Sequence, residues 1–155
     1  MSKIEKRLLE LDSPLPELAV PLAAYIPAIQ VGNIVTTSGQ LPMVNGKCAV
    51  TGFVGEGGTP VDQAAVGARI CALNALAAIK QVIGDLDRIK RTVRVVCYVQ
   101  SKPEFKAQPQ VANGASLFLQ QVFGEAEGKH IRSALGVAAL PLDAAVEVEL
   151  TVELK

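Results

Sequence analysis

An arginine and a glutamate near the end of the chain carry the most suggestive chemistry in the sequence. Arg132 opens the apolar run IRSALGVAAL, and Glu147 lies in the alternating segment AAVEVELTVEL. A guanidinium keeps its proton, so a partly buried arginine needs an anionic partner. That partner is either Glu147, through a cross-hairpin ion pair, or the carboxylate of a substrate. The ion pair is the simpler interpretation from residue types alone, and the substrate stays open beside it.

Catalytic motifs of other kinds are incomplete. His130 is the only histidine, so a Ser-His-Asp triad would have to combine it with Ser133 or Ser38, yet no GxSxG segment is present. We therefore expect a solvated loop histidine. The segment VGEGGTP has Pro60 where GxGxxG would need glycine, and no GK[ST] follows it. It is interpreted as a flexible loop that ends in a helix cap.

The remaining candidates have ordinary structural explanations. Cys48, Cys71 and Cys97 are odd in number and far apart, without CxxC or HxxE-type spacing, so we expect reduced, mostly buried thiols. No metal and no cofactor is predicted. Asn113 lies inside a predicted helix, where asparagine is a mediocre helix former, and Tyr25 precedes the first strand. Solvent exposure of Asn113 and packing of Tyr25 stay open beside roles in a site.

The composition describes one neutral, apolar domain. The chain fits a single domain, residues 1–155, whose residues 1–24 form an N-terminal helix and connector. Fifteen basic and fifteen acidic residues cancel, which argues against nucleic acid as a partner and against polybasic attraction to a membrane. Zero net charge and 50% apolar residues favour an oligomer. No apolar signal core opens the chain, so a cytoplasmic location is the default expectation.

Apolar periodicity, turn residues and helix caps predict the elements that position these side chains. In chain order they are a helix over residues 3–11 capped by Ser2, a proline-rich connector, strands over 27–31 and 33–39 joined at Gly32-Asn33, a glycine-rich loop with a short strand, a helix over 60–83, a strand over 91–100, a helix over 109–124, and a final hairpin of 131–139 with 144–154. Thr59 is the expected cap of the long helix and Gly84 its stop. Gly114 is expected to weaken the next helix.

Two helices on one face of a mixed sheet give an α+β fold, an α/β sandwich. One face of the strand over 91–100 is expected to carry Val93, Val95, Cys97 and Val99. The opposite face of the sheet also has apolar residues, and no helix is left to cover them. We expect the sheets of neighbouring subunits to cover this face.

Three segments together resemble the reactive intermediate deaminase (Rid) or YjgF family, also known as the endoribonuclease L-PSP family. They are GNIVTTSGQLP, the strand RTVRVVCYV after an alanine-rich helix, and IRSALGVAALPLDAAVEVELTVE. The similarity follows family order over most of residues 25–154. It implies a bacillus-chorismate-mutase-like fold and a homotrimer whose sheets pack around the axis. Ligand sites would then lie in clefts between neighbouring subunits.

The resemblance also implies a role for each candidate residue. Arg132 would bind the carboxylate of a small 2-imino or 2-enamino acid, and water would hydrolyse the imine to a keto acid and ammonia. Glu147 would orient or deprotonate that water, and the backbone of Ala134 would hydrogen-bond the ligand. The cleft would be lined by Tyr25, Ser38, Gly39 and Asn113.

Tyr25 lacks the preceding proline and the following glutamine that are usual in the family, and three other positions also depart from the family pattern. Ala134 stands where cysteine or serine is common, Gly136 where glutamate is common, and Ser116 where an aromatic residue is common. About two extra residues lie around GEAEGKH. Carboxylate capture is therefore expected, whereas turnover is open against two alternatives: a non-catalytic binder of small carboxylates or keto acids, and an endoribonuclease or translation inhibitor. Neutral charge counts against the RNA-directed activity.

Overall fold

The protein forms a five-stranded sheet with two long helices packed against one face. The computed structural model describes residues 1–18 and 24–155, and the last part of the predicted connector, residues 19–23, lies outside the described residues. The helices are α1 (Lys3–Glu10), α2 (Val61–Ile83), α3 (Gln108–Phe123) and the single turn α4 (Glu125–Gly128). The strands are β1 (Ala28–Val31), β2 (Ile34–Thr37), β3 (Met43–Val44), β4 (Lys47–Cys48), β5 (Ile89–Gln100), β6 (Ile131–Val137) and β7 (Val146–Leu154). This is the α+β sandwich predicted from the sequence.

The strand order of the main sheet is β1-β2-β7-β5-β6. β1 and β2 form the predicted hairpin, whose turn contains Gly32 at a positive φ of 61°. β7 runs antiparallel between β2 and β5, while β5 pairs in parallel with the edge strand β6. The short strand predicted in the glycine-rich loop is a small hairpin of β3 and β4, which turns at Asn45-Gly46, both at positive φ.

The predicted hairpin of the last two strands is wrong. β5 lies between β6 and β7 in the sheet. α3 connects the end of β5 to the start of β6, and a helical crossover of this kind makes the two strands parallel neighbours. The chain then crosses the end of β5 and returns as β7 on its other side. The alternation of apolar and polar residues identified β6 and β7 as strands. It does not reveal that another strand lies between them in the sheet.

A bulge in β5 moves one predicted core residue off the inner face of the sheet. The register shifts between Thr92 and Arg94, so Val93 is an extra residue on this strand. Thr92 is consequently fully buried, and Val93 is only partly buried. The other predicted core residues of the strand are buried: Val95, Cys97 and Val99.

Gly114 is required where the two long helices pack together. A Cβ on Gly114 would lie 1.9 Å from the backbone carbonyl oxygen of Ala65 in α2. Any side chain at this position would push α2 and α3 apart. The glycine is therefore a contact residue between helices, and not merely the weak point that its helix propensity suggested.

α2 is the central helix of the core. It ends at Gly84 as predicted, but the predicted cap is wrong: Pro60 takes the cap position, and the Thr59 hydroxyl donates to the Thr51 carbonyl at 2.6 Å. By length and composition α2 is long and apolar enough to cross a membrane. Because 61% of its apolar 18-residue stretch is buried inside the fold, we interpret α2 as a core helix.

α1 is fastened to the helix layer by contacts at its N-terminus. Ser2 and Glu5 form a capping box. The carboxylate of Asp87, which precedes β5, accepts hydrogen bonds from the first two backbone N–H groups of α1 at 2.8 and 2.9 Å. Glu5 also pairs with Lys80 of α2, and Leu8 is completely buried. The first helix predicted from the sequence is thus part of the folded domain.

The second face of the sheet, which we call the open face, has no helix over it in the described ranges. β7 contributes acidic and polar side chains to it, since the apolar residues of this strand all point toward the helices. Exposed apolar side chains accompany them from the outer strands: Ile29, Val31, Ile131 and Leu135. This is the uncovered apolar face expected from the sequence.

Candidate functional site

Arg132 lies on the helix side of the edge strand β6, where it faces α3. The register places it beside Val95, which is buried under the helices. Its Nη1 atom donates to Asn113 Oδ1 at 2.8 Å and to Ser116 Oγ at 3.1 Å. Asn113 and Ser116 are three residues apart on α3 and therefore share a helix face. We call Arg132, Asn113, Ser116 and His130 the arginine cluster.

His130 is not the solvated loop residue expected from the sequence. Its Nε2 atom lies 2.9 Å from Ser116 Oγ, and its Nδ1 atom lies 2.6 Å from the Gly128 carbonyl oxygen. A carbonyl only accepts, so Nδ1 carries a proton, and in the neutral imidazole Nε2 accepts from the Ser116 hydroxyl. Burial lowers the pKa of His130 and the charge of Arg132 lowers it further, while the bond to Gly128 acts in the opposite direction. The lowered pKa favours the neutral imidazole.

The predicted ion pair between Arg132 and Glu147 does not form. β5 separates their strands, and the register directs the two side chains to opposite faces of the sheet. Both partners of Arg132 Nη1 are neutral, and across residues 1–18 and 24–155 no carboxylate lies within salt-bridge distance of this arginine. Ala134 follows on the same face of β6 and is partly buried against the core.

Glu147 lies on the open face, next to the segment that follows β2. Val148 exchanges two backbone hydrogen bonds with Gln40, which brings Gly39 under the Glu147 side chain. A Cβ on Gly39 would lie 1.8 Å from Glu147 Oε1, so the carboxylate holds this position only because residue 39 is glycine. Burial raises the pKa of Glu147, and the charge of Glu149 raises it further. A carboxyl group with a raised pKa suits general acid-base catalysis.

The other predicted ligand-binding residues adjoin Glu147 in this region. The Ser38 hydroxyl donates to the Ile26 carbonyl at 2.7 Å, which ties the segment before β1 to the end of β2. Tyr25 lies in that segment, is exposed, and lines a cavity of about 670 Å³ together with Gly39. Tyr98, which sequence reasoning missed, donates from its hydroxyl to a Glu149 oxygen at 3.0 Å. We call this set the glutamate cluster: Tyr25, Ser38, Gly39, Tyr98, Glu147 and Glu149.

The two clusters lie apart within one chain. By register, Arg132 and Glu147 are two strands apart across the sheet and three residues apart along it. With about 4.8 Å between strands and about 3.3 Å per residue, their Cα atoms are on the order of 14 Å apart, and their side chains point to opposite faces. One chain alone therefore does not bring all the predicted residues into a single site.

Sequence reasoning also missed the contribution of Ser116 and His130 to the arginine cluster. His130 comes two residues before Arg132 at the start of β6, a spacing that places both on one face of a strand. Ser116 comes three residues after Asn113, a spacing that places both on one face of a helix. These two spacings were the available signal. They indicate a cluster only once α3 is known to pack against β6.

Comparisons with known proteins cover nearly the whole chain. A family model described as "YjgF/chorismate mutase-like, putative endoribonuclease" matches residues 5–154. The chain is 41% identical over 152 residues to Protein TCP17 of Trypanosoma cruzi, which covers 98% of this chain and 94% of that protein.

Two solved structures are similar in sequence and in fold. Protein Atu1372 from Agrobacterium tumefaciens, described as of unknown function, is 44% identical with a TM-score of 0.88, covering 97% of this chain and 91% of that one. A "putative endoribonuclease" from Shewanella oneidensis MR-1 is 34% identical with a TM-score of 0.91, covering 97% and 99%. These matches confirm the chorismate-mutase-like fold predicted from the sequence. The chain belongs to the YjgF/chorismate mutase-like endoribonuclease family.

Proposed function

We propose that this protein hydrolyses small reactive 2-imino and 2-enamino acids to keto acids and ammonia, at clefts between the subunits of a homotrimer. The observation that carries the proposal is the anchoring of Arg132 by the neutral side chains of Asn113 and Ser116. An arginine held in this way keeps its charge available for an anionic ligand. The family resemblance supplies the reaction, since Arg132 and Glu147 stand where the arginine and the acidic residue of the family's motif stand.

Carboxylate capture follows from the way the guanidinium is held. Nη1 uses its two N–H groups on Asn113 and Ser116, which leaves the edge formed by Nε and Nη2 for a ligand. The two N–H groups on that edge are parallel and match the two oxygens of a carboxylate. Ala134 comes next on the same face, and β6 is an edge strand, so we expect its backbone to hydrogen-bond the ligand as well.

Glu147 is the proposed base for the hydrolysis. It takes a proton from a water molecule while the water oxygen forms a bond to C2 of the imine, and the electron pair of the C=N π bond moves to nitrogen. The nitrogen accepts a proton from bulk solvent, which gives a neutral carbinolamine. Glu147 then returns its proton to the nitrogen as the C–N bond breaks, and the hydroxyl proton passes to bulk solvent as the keto group forms. Ammonia and a keto acid leave, and no cofactor enters the balance.

A second copy of the chain would unite the two clusters. The arginine cluster lies at one edge of the sheet, and the glutamate cluster lies at the open face. Exposed apolar side chains on that face would be buried if the edge of one subunit packed there. Arg132 of one subunit would then meet Glu147 of the next, as the intersubunit clefts of the family imply.

Ammonia release from an imine generated in solution by an amino-acid oxidase tests the proposal. The wild type should accelerate release. Arg132→Ala should lose about 2–5 kcal/mol of affinity for 2-ketobutyrate in calorimetry. Glu147→Gln should still bind 2-ketobutyrate but release ammonia about 10²-fold to 10⁴-fold more slowly. Matched controls are Arg91→Ala and Glu153→Gln, a second arginine and a second glutamate of the same sheet, and both should behave like wild type.

Each alternative function gives a different result in these assays. A binding protein for small carboxylates would bind 2-ketobutyrate through Arg132, and the wild type would not accelerate ammonia release. The endoribonuclease activity named in the family description would instead appear as cleavage of labelled single-stranded RNA by the wild type. Cleavage that is lost in Arg132→Ala, without any effect on ammonia release, would contradict our proposal and favour the nuclease.

A further inference from the structure

A continuous chain of hydrogen bonds runs from Arg132 into the protein. Arg132 Nη1 donates to Ser116 Oγ at 3.1 Å, the Ser116 hydroxyl lies 2.9 Å from His130 Nε2, and His130 Nδ1 lies 2.6 Å from the Gly128 carbonyl oxygen. The carbonyl can only accept, so Nδ1 carries a proton, and in the neutral imidazole Nε2 can then only accept. His130 donates to Gly128, Ser116 donates to His130, and Arg132 donates to Ser116.

The Gly128 carbonyl, at the end of the hydrogen-bond chain that lies farthest from Arg132, is held rigidly. Gly128 is buried at the end of α4, and a Cβ there would lie 2.6 Å from Gln120 Cα and 2.8 Å from the Leu119 carbonyl oxygen. α4 therefore packs directly on the last turns of α3, and the Gly128 carbonyl has little freedom to move. Ser116 belongs to the same helix α3 and is buried. The Ser116 oxygen that accepts from Arg132 is thus held in two ways: by the backbone of α3, and by the hydrogen bond of its hydroxyl to His130.

We propose that Ser116 and His130 are positioning residues for Arg132, which turn the Nε and Nη2 edge of its guanidinium toward the substrate carboxylate. The ligand in this inference rests on the proposed function, whereas the hydrogen-bond chain does not. Without Ser116, one N–H of Nη1 loses its acceptor and only Asn113 limits rotation of the guanidinium. Without His130, the Ser116 hydroxyl can rotate, and its proton can then point toward Arg132 and hinder the hydrogen bond from Arg132 Nη1 to Ser116 Oγ. Either loss costs affinity because a bidentate contact needs both N–H groups aligned.

The protonation state of His130 tests the proposed hydrogen-bond chain, and this test needs no ligand. His130 is the only histidine, so the side-chain nitrogen resonances of imidazole in an NMR spectrum are assigned without ambiguity. At pH 8 we expect the Nδ1–H tautomer, with Nε2 unprotonated and hydrogen-bonded. In Ser116→Ala the Nε2 resonance should move while Nδ1 stays protonated. An Nε2–H tautomer, or an Nε2 resonance that does not respond to Ser116→Ala, would overturn the inference.

The affinity for 2-ketobutyrate tests the consequence for binding. Ser116→Ala and His130→Ala should each weaken binding by about 10-fold, the effect of one hydrogen bond to a charged group. His130→Gln, whose side-chain oxygen can accept from Ser116, should recover most of the loss. Ser13→Ala is a matched control, since Ser13 is a buried serine that accepts from a different arginine, Arg69, and belongs to neither cluster. It should lower stability and leave the affinity unchanged.

The two proposals fail in different ways. If the wild type binds no keto acid, or if Arg132→Ala binds it unchanged, the proposed function fails. The positioning role is then decided by the rotation of the Arg132 guanidinium in NMR, which should be slow in the wild type and faster in Ser116→Ala. If Arg132→Ala abolishes binding but Ser116→Ala, His130→Ala and Ser13→Ala all bind like wild type, the proposed function stands and the positioning role is wrong.

Discussion

Single residues in the two clusters set up opposite electrostatic environments. Arg132 donates to neutral acceptors, so its charge is not neutralised inside the described part of the chain. Glu147 lies near a second carboxylate, Glu149, in a partly buried position, and both features favour its protonated form. A substrate that carries a carboxylate and a basic imine nitrogen fits this pair. Its anionic end suits the arginine, and its reacting end suits a carboxyl group that exchanges protons readily.

Glu149→Gln should move the acid limb of the pH–rate profile to lower pH. The pKa of Glu147 is raised first by burial and second by the charge of Glu149. Activity should fall as the pH drops through this raised pKa, because protonated Glu147 cannot act as a base. Removal of the Glu149 charge lowers that pKa, so the base survives to lower pH. The measurement is kcat/KM as a function of pH for ammonia release.

The control for this experiment is Glu153→Gln on the same strand. Glu153 points to the same face as Glu149 but pairs with Lys90 at the far end of β7. Its replacement should leave the acid limb where it is in the wild type. An acid limb that stays in place in Glu149→Gln, or moves to higher pH, would show that Glu147 is not the titrating base.

At the scale of elements, local sequence patterns predicted where the helices and strands lie along the chain. They did not predict the order of the last strands in the sheet. The alternation in residues 144–154 identified β7, and a 3.6-residue period identified α2. Neither pattern could reveal that β5 separates β6 from β7, since strand order depends on the path of α3 across the sheet. The same error produced the ion pair between Arg132 and Glu147. The sequence named candidate residues for a site, but their division into two clusters required the topology.

Gly114→Ala should destabilise the protein far more than Gly67→Ala. The new Cβ at residue 114 would lie 1.9 Å from the Ala65 backbone oxygen, so the two long helices would have to separate. We expect a loss of about 2–4 kcal/mol in the free energy of unfolding. At Gly67 the nearest atoms are side-chain atoms of Val146 and Val50 at 3.1 and 3.3 Å. The gain of about 1 kcal/mol in helix propensity should offset that crowding.

Urea unfolding of the two glycine variants measures this difference. Gly67→Ala serves as the matched control, because it makes the same substitution within a buried helix. Equal midpoints for the two variants would mean that α2 and α3 separate at little cost. The tight contact at Gly114 would then not be important for stability.

Glu5→Gln should remove part of the acid sensitivity of the fold. The hydrogen bond from Lys80, and next the backbone N–H of Ser2, lower the pKa of Glu5 from 4.5 to about 2. A folded-state pKa below the unfolded value stabilises the fold fully above pH 4.5, and this contribution is lost as the pH falls toward 2. Both side chains of the pair are partly exposed, so the contribution is at most about 1 kcal/mol.

Thermal unfolding between pH 5 and pH 2 measures the contribution of Glu5. The loss of stability on acidification should be smaller in Glu5→Gln than in the wild type. Glu10→Gln is the control, since Glu10 belongs to the same helix and its pair with Arg7 is largely exposed. Identical pH dependence of all three proteins would contradict the role given to the contact between α1 and α2.

At the scale of the whole molecule, the proposed function treats the two clusters of one chain as two halves of a site that a second subunit would complete. The arginine cluster lies at the β6 edge, and the glutamate cluster lies on the open face with exposed apolar neighbours. A contact between different patches of two identical subunits forms a closed ring when its rotation closes, and an open filament otherwise. In the homotrimer that we propose, a closed ring of this kind would bury every open face and complete one site at each interface. The homotrimer predicted from the family resemblance is one such ring.

Two inactive variants should restore activity when they are combined in the same oligomer. Arg132→Ala keeps the glutamate cluster, and Glu147→Gln keeps the arginine cluster. If each site takes Arg132 from one subunit and Glu147 from the next, random mixing in equal amounts leaves about a quarter of the interfaces with both residues. Co-refolding of the two variants should therefore give about a quarter of the wild-type rate of ammonia release, and sedimentation equilibrium should give a trimer for each. A co-refolded trimer as inactive as its components would place the whole site within one subunit. A monomer at micromolar concentration would exclude the shared cleft altogether.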